Sequence, residues 1–289
     1  MSRIHQILSK AERDGTMAGL TLPDLEVREA EPPVPASSPW RNEAPRAAAE
    51  PAPLVDAVHS VNGTAYVGRP VFGVKLNKML VAAVEPFSLA AEQYRSLRTR
   101  IAQLDAEAPR HILAVTSPTR GDGKTVTVLN LALSMAQEFD RRTLLIDADL
   151  RHARLHTLLG IPREPGLADV LIGNTTIDEA LVTLPGHRLQ VLPAGAVHTQ
   201  PAELLGSTPM RRLIEGLRRH FDRVVIDTAP AQSADTGALE ACFDGALVVV
   251  RAGRTSRPAI ERALASIPPA KLVGMVLNDS RAGDGLSGA

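Results

Sequence analysis

The chain has 289 residues, enough for one large domain or two small ones. Its 32 basic and 32 acidic residues cancel to a formal charge of zero, which argues against nucleic-acid or anionic-membrane binding through a global positive field. The single cysteine, Cys242, excludes a disulfide framework within the chain and a cysteine-built metal site.

The amino-terminal region divides into two segments. Residues 1–15 carry apolar side chains at the spacing of one helical face, so an amphipathic helix is expected there. Such a short helix is marginal alone, and it is either a docking element or a frayed terminus. Residues 16–79 are rich in Pro and Ala and predict a largely disordered linker.

The sequence shows neither a membrane span nor a secretion signal. No apolar run reaches the roughly 18 residues that a membrane helix needs, and the first residues lack a signal-peptide core. We therefore expect a cytoplasmic protein that reaches the inner face of the membrane only through a partner.

Residues 80–280 predict one α/β domain. Apolar segments of strand length alternate with helical patterns, which is typical of a mostly parallel sheet covered by helices on both faces. Ligands of such sheets bind at the carboxyl ends of the strands. The strand candidates are His111–Val115, Arg142–Asp149, Leu189–Gly195, Arg223–Pro230, Gly245–Gly253 and Lys271–Asp279.

A glycine-rich loop, TSPTRGDGKT, follows the first of these strands and opens a helix. Backbone N–H groups at such a helix start favour anions. Gly121 and Gly123 permit close approach of phosphate, Lys124 can reach the β- and γ-phosphates, and the Thr125 hydroxyl can bind Mg²⁺. Pro118 replaces the first glycine of the P-loop pattern. The structural alternative is a Gly-Lys turn before an ordinary amphipathic helix.

Three aspartates follow two of the predicted strands. Asp147 and Asp149 lie in LLIDADLR, and Asp227 lies in VVIDTAP. Carboxylates at that depth are costly unless paired or near a metal, so together they predict a Mg²⁺ and water shell beside the loop. The alternative is that each caps a following helix.

With these motifs the chain resembles the bacterial tyrosine kinases of capsule and exopolysaccharide biosynthesis, the BY-kinases. The resemblance covers roughly residues 86–278 and adds RLHTLLGIPREPGLADVLIGN, PAELLGS and VVVRAGRT to the loop and the acidic motifs. It implies a P-loop NTPase fold, ATP and Mg²⁺ as cofactors, and protein-tyrosine kinase or ATPase activity. The first eight residues also resemble the subgroup linked to exosortase loci.

The resemblance also assigns roles to single residues. Lys124, Asp147, Asp149 and Asp227 are the expected catalytic residues, and Thr125 with the three aspartates is the expected metal set. Asn278 matches a position that contacts adenine in related ATPases, and its alternative is an ordinary turn residue. The expected nucleotide-binding residues are Thr119, Arg120, Gly121, Asp122, Gly123, Lys124, Thr125, Val126 and Asn278.

Assembly and partners follow from the same resemblance. EQYRSLR has the spacing through which the family forms rings, here Glu92, Arg95 and Arg98, which share one helical face. The alternative is a solvated face with an internal ion pair. The resemblance implies a homo-oligomer and a membrane-anchored chain-length-determinant protein as partner.

The tyrosine pattern departs from the family. The tail, residues 281–289, has no tyrosine cluster, and the chain has two tyrosines in all, Tyr66 and Tyr94. Tyr94 is expected to pack within its helix, whereas Tyr66 is expected in or near the linker and accessible as an acceptor. Arg120 stands where the family tends to have proline.

Two other functions stay open. A MinD- or ParA-like positioning ATPase would carry a lysine at the position of Thr119, so its absence argues against that class. A nucleotide-dependent scaffold without phosphotransfer would use the same binding residues.

Overall fold

The computed structural model describes residues 66, 68–139, 141–184, 186–196 and 199–280. The expected helix at 1–15, the linker as far as residue 65 and the tail at 281–289 lie outside the described residues. The strands are β1 (Arg69–Pro70), β2 (Ile112–Thr116), β3 (Thr143–Asp147), β4 (Val182–Leu184), β5 (Leu189–Leu192), β6 (Arg223–Asp227), β7 (Gly245–Arg251) and β8 (Leu272–Asn278).

Ten α-helices connect these strands within the described ranges. They are α1 (Val81–Val84), α2 (Leu89–Glu107), α3 (Lys124–Ala136), α4 (Leu155–Leu159), α5 (Leu167–Leu171), α6 (Ile177–Ala180), α7 (Pro201–Leu205), α8 (Thr208–His220), α9 (Ala234–Ala238) and α10 (Arg257–Ala265). None of the helices in the described ranges combines the length and the apolar character needed to cross a bilayer.

The strands form one sheet in the order β1-β4-β5-β3-β6-β2-β7-β8. Neighbouring strands are parallel except β4 and β5, which are antiparallel. Each of the six predicted strand segments overlaps an observed strand, so the mostly parallel α/β sheet is confirmed. The short strands β1 and β4 were not predicted.

Helices cover both faces of the sheet, as expected. In β2, Ile112 and Ala114 belong to one apolar cluster, while Leu113 and Val115 belong to the other. This alternation follows from the two-residue period of a strand. Residues of α5–α8 pack in the first cluster and residues of α1–α4 in the second, so the central strands are buried on both sides.

The folded part begins earlier than the expected linker boundary at residue 79. β1 pairs in parallel with β4, placing Arg69 beside Val182. A Cβ at Gly68 would lie 2.9 Å from the Thr183 hydroxyl oxygen, so only glycine permits this close approach. Val71, Val74 and Leu76 pack against the second apolar cluster. The expectation of a linker to residue 79 is therefore wrong at its carboxyl end, because the pairing of β1 joins Arg69 to Val182, a residue far away in the chain.

Candidate active site

The glycine-rich loop lies between β2 and α3, as predicted. Gly121 and Gly123 have φ angles of 88° and 98°, which favour glycine because a Cβ is strained in the left-handed region. Gly123 precedes Lys124, the first residue of α3, and no side chain caps this helix start. The first-turn N–H groups of α3 are thus directed at the loop concavity, an arrangement that favours a phosphate.

The loop is braced by the protein itself. The carboxylate of Asp122 accepts hydrogen bonds from the Thr119 N–H (2.8 Å), from the Thr119 hydroxyl (3.0 Å) and from the Thr255 hydroxyl (2.8 Å). The Asp122 side chain is buried and therefore holds the loop in shape. Asp122 is one of the expected nucleotide-binding residues. Because its carboxylate is engaged in this way, it can offer a nucleotide only its backbone N–H group.

Asn278 also braces the loop, from the end of β8. Its Nδ2 donates to the Asp122 carbonyl oxygen at 2.9 Å, and a Cβ at Gly123 would lie 2.0 Å from the same nitrogen. The amide donor expected to contact adenine is thus already engaged with the loop backbone.

Lys124 forms a buried ion pair with Asp149. Its Nζ lies 2.6 Å from Asp149 Oδ2, with the lysine side chain 11% and the aspartate side chain 4% exposed. Burial alone would lower the pKa of Lys124, but the carboxylates of Asp227, Asp149 and Asp147 raise it above its usual value. The lysine therefore stays charged and available to a phosphate group.

Asp147 is fully buried at the end of β3 and is held by backbone groups. Its Oδ1 accepts from the Asp149 N–H and its Oδ2 from the Leu155 N–H, each at 3.3 Å. Leu155 is the first residue of α4, so the helix-capping alternative describes this aspartate. Burial, reinforced by Asp227 and Asp149, raises the pKa of Asp147 well above its usual value.

Asp227 ends β6 directly beside Asp147, its register partner on β3. It is buried, and neither carboxylate oxygen makes a hydrogen bond of normal geometry with the described residues, although the Thr125 hydroxyl is close enough to act on its pKa. Burial raises the pKa of Asp227 to about 6; the charge of Lys124 and the nearby Thr125 hydroxyl act in the opposite direction. An orphaned buried carboxylate is stabilised by a cation or a water, so this residue fits a metal-ligand shell.

The three aspartates make different contacts. Across the described ranges, no group of three or more His, Cys, Asp or Glu side chains is placed to hold a metal ion. Asp149 is engaged by Lys124 and Asp147 by backbone N–H groups in this arrangement, and the expected metal set of Thr125 with the three aspartates stays a prediction. Thr125 and Asp227 remain, and Mg²⁺ commonly uses one or two carboxylates with water and phosphate oxygens.

A cleft of about 960 Å³ lies over the loop and α4. Arg120, Lys124, Thr125 and Asp149 contribute to its wall. Four other basic residues of this wall had no predicted role, although three of them lie in the motif RLHTLLGIPREPGLADVLIGN and the fourth, His152, lies two residues before it. They are His152, Arg154, His156 and Arg163.

The sequence patterns did not predict an ion pair between Arg151 and Asp235. Arg151 donates through Nε and Nη2 to the two carboxylate oxygens of Asp235 at 2.7 and 3.1 Å. The pair links the segment after β3 to α9. No local pattern could reveal this pair, because its members are 84 positions apart.

The charged residues on α2, Glu92, Arg95 and Arg98, make two separate sets of contacts. Arg95 Nη2 pairs with Glu92 at 2.6 Å. Arg98 turns toward α3, where Nη1 donates to the Ser134 carbonyl oxygen at 2.6 Å and Nε lies 3.3 Å from Glu138. The internal ion pair given as the alternative is present, and Arg98 holds two helices of one chain together.

The two tyrosines are both packed. Tyr94 packs against the second apolar cluster, as expected. Tyr66 is 5% exposed, and its ring centroid lies 4.4 Å from that of His220 and 6.3 Å from that of Phe221. The expectation that Tyr66 is accessible is therefore wrong, because a tyrosine next to the Pro-rich segment can still bury its ring against distant residues.

Comparisons with known proteins identify the relatives of this chain. Residues 110–269 match the family model described as an AAA domain. Tyrosine-protein kinase YwqD of Bacillus subtilis (strain 168) is 32% identical over 212 residues, which are 72% of this chain and 89% of that protein. The succinoglycan biosynthesis transport protein ExoP of Rhizobium meliloti (strain 1021) is 35% identical over 210 residues, 71% of this chain and 26% of that protein. The kinase domain of the Escherichia coli tyrosine kinase ETK aligns with a TM-score of 0.67 at 28% identity, covering 76% of this chain and 91% of that chain.

Proposed function

Since the chain belongs to the bacterial tyrosine kinases of capsule and exopolysaccharide biosynthesis, we propose that it binds Mg-ATP at the glycine-rich loop and transfers the γ-phosphate to a tyrosine of another protein. The observation that carries this proposal is the buried arrangement of Lys124, Asp149 and Asp227 beside an uncapped helix start. Lys124 would supply a cation for phosphate and Asp149 a carboxylate for a proton at the cleft wall. Asp227, buried close to Lys124, would supply a ligand for Mg²⁺.

Different groups of the chain would bind the phosphates and the metal ion. The first-turn N–H groups of α3 and Lys124 bind the phosphates, and Thr125 with Asp227 would hold Mg²⁺. Bound Mg²⁺ neutralises the charge that develops on the transferred phosphoryl group. When Lys124 pairs with a phosphate instead of Asp149, the Asp149 carboxylate becomes available at the cleft wall.

Asp149 is the better candidate for accepting the proton of the acceptor hydroxyl. It contributes to the cleft wall, whereas Asp147 is fully buried and holds two backbone N–H groups. We assign Asp147 the role of positioning the segment that carries Asp149. A general base must come within hydrogen-bond reach of the proton that it removes, and Asp147 is too enclosed for that.

The acceptor belongs to another protein in this proposal. Both tyrosines of the chain are packed, Tyr66 against His220 and Phe221 and Tyr94 against the second apolar cluster. A packed ring cannot reach the in-line position that phosphoryl transfer requires without local unfolding. A membrane-anchored chain-length-determinant protein is the proposed partner. The relation to ExoP, of which this chain matches 26%, supports a polysaccharide role.

The proposal is tested by incubating the purified chain with Mg-ATP, with and without such a partner, and mapping phosphotyrosine by mass spectrometry. Phosphate should appear on tyrosines of the partner and not on Tyr66 or Tyr94. Lys124→Ala should abolish both nucleotide binding and transfer, because it removes the cation that compensates the phosphates. A thermal melt of each protein distinguishes lost binding from lost folding.

Other outcomes would contradict the proposal in distinct ways. ATP hydrolysis without any phosphotyrosine would favour a positioning ATPase, although Thr119 stands at that class's lysine position and is turned toward Asp122. Nucleotide binding without hydrolysis or transfer would favour a scaffold. Unchanged binding in Lys124→Ala would show that the site is elsewhere.

A further inference from the structure

A second concavity lies at the amino ends of the strands, opposite the glycine-rich loop. It encloses about 410 Å³. Thr143, the first residue of β3, and Phe221, two residues before β6, contribute to its wall, whereas Asp147 and Asp227 end those same strands at the candidate active site. Thr143 and Asp147 are four residues apart on β3, and a rise of about 3.3 Å per residue separates the two ends of the strand by roughly 13 Å. A ligand here would therefore be distinct from a nucleotide at the loop.

The inner wall of this cavity is aromatic and well supported. Tyr66 and Phe221 are buried, and their rings are nearly parallel, with an interplanar angle of 8° and a centroid separation of 6.3 Å. His220 meets the Tyr66 ring edge-on at 4.4 Å. Gln190 Nε2 donates to the Tyr66 carbonyl oxygen at 3.1 Å, which fixes this residue to β5. The wall offers flat apolar surface to a planar ring.

The rim is cationic. Arg141, Arg142 and Arg188 line the cavity, and no Asp or Glu is among the described residues that line it, although the Asp178 carboxylate acts on Tyr66. Two of these arginines have carboxylate neighbours, since Arg141 Nε lies 3.4 Å from Glu138 and Arg142 Nε lies 3.7 Å from Asp222.

The third arginine, Arg188, contacts an aromatic ring. Its guanidinium lies 5.4 Å from the centroid of the Phe139 ring, and it forms no ion pair with the carboxylates of the described ranges. The residue is exposed and has a φ of 54°. Its planar set of N–H donors suits the oxygens of a phosphate group.

We propose that this cavity binds a phosphate monoester carried on a planar ring. Arg188, with Arg142 beside it, would contact the phosphate, and the Tyr66, Phe221 and His220 wall would contact the ring. The volume is within the range of about 300 to 1,000 Å³ that is usual for small-molecule sites. Two sources share this chemistry, a phosphotyrosine side chain of a protein and a free nucleoside monophosphate. The proposal does not depend on phosphotransfer at the glycine-rich loop.

The test is calorimetric titration of the full chain, saturated with Mg-ADP so that the loop is blocked, with phenyl phosphate. We expect one molecule bound per chain and inorganic phosphate to bind clearly more weakly. Arg188→Gln should weaken phenyl phosphate binding at least about tenfold, because charge-assisted hydrogen bonds are the strong ones. Arg257→Gln, on an exposed arginine of α10 outside the cavity, should leave it unchanged. Equal Mg-ADP affinity in all three proteins verifies that the variants are folded.

Two further ligands separate the sources. Tighter binding of N-acetyl-O-phosphotyrosine amide identifies a protein ligand, and tighter binding of AMP identifies a nucleotide. The proposal is overturned if phenyl phosphate does not bind, if inorganic phosphate binds equally well, or if Arg188→Gln binds like the wild type.

Discussion

Both carboxylate oxygens of Asp227 are buried and make no hydrogen bond of normal geometry with the described part of the chain. Such a group favours its neutral form, and the pKa of Asp227 is accordingly raised from 3.8 to about 6. Between about pH 4 and 6 the folded state therefore binds more protons than the unfolded state. The stability contributed by this residue is complete below pH 4 and is lost as the pH rises through 6.

We predict that Asp227→Asn stabilises the chain at pH 7 in the absence of nucleotide and metal. The gain should be roughly 1 to 3 kcal/mol, because the uncharged amide avoids most of the desolvation cost that the shifted pKa records. Urea unfolding in EDTA at pH 4, 5, 6 and 7 measures it, and the variant should depend less on pH between 4 and 6. The exposed Asp279→Asn is the control. Equal pH dependence of Asp227→Asn and wild type would contradict the prediction.

A residue that lies in a binding motif does not always contact the ligand through its side chain, and two residues near the loop are examples. Asp122 and Asn278 are among the expected nucleotide-binding residues, Asn278 through the family resemblance. In the structure the Asp122 carboxylate accepts hydrogen bonds from Thr119 and Thr255, and Asn278 Nδ2 donates to the Asp122 carbonyl oxygen. Their patterns in the sequence are compatible with either role. The distinction depends on where Thr255, 133 positions from Asp122, is placed by the fold.

At the scale of elements, α2 is attached to α3 by Arg98. The helix begins at the Ser88 cap, whose hydroxyl accepts from the Ala91 N–H at 3.2 Å, and Ile101 buries its side chain in the second apolar cluster. Arg98 adds the hydrogen bond to the Ser134 carbonyl oxygen and the contact with Glu138. Replacing this residue should therefore disturb the fold of a single chain as well as any assembly.

We predict that Arg98→Ala lowers the free energy of unfolding by about 1.5 to 3 kcal/mol, the usual range for a hydrogen bond that involves a charged group. Arg100→Ala is the matched control, because Arg100 is an exposed arginine on the same helix. Chemical denaturation of both variants gives the comparison. Equal losses in the two variants would show that the Arg98 contacts add nothing to stability.

At the scale of the whole molecule, assembly is a proposal that rests on the outer part of α2. Glu92 and Arg95 remain partly exposed on this helix. Phe87 and Leu89, at its start, are 98% and 71% exposed. Exposed apolar side chains beside a charged pair are typical of a surface that contacts a second chain.

We predict that changing Glu92 and Arg95 together to alanine reduces the mass of any oligomer formed with Mg-ATP while leaving nucleotide affinity unchanged. Charged side chains at such a surface mainly determine partner choice and register. The matched control is Arg257→Ala with Glu261→Ala, which removes an exposed ion pair from α10. Light scattering reports the mass, and a reduction of the same size in the control would refute a specific role for Glu92 and Arg95.

Local patterns determined much of the molecule. The apolar runs at strand length, the glycine-rich loop and the aspartates at the strand ends predicted six strands and the place of the site. They could do so because a strand buried on both faces must be apolar along its length, and because the carboxyl ends of parallel strands meet at one edge.

Which side chains meet depends on how the sheet and the helices pack. β1 and β4 have too few residues for a periodic signal, and they are paired across more than 110 positions. Tyr66 lies near a Pro- and Ala-rich stretch, but its ring is buried against His220 and Phe221. The three aspartates were expected to share one metal, but Lys124 and the backbone engage two of them. Such pairings depend on distances between residues far apart in the chain, and these distances are established only when the sheet and its covering helices pack together.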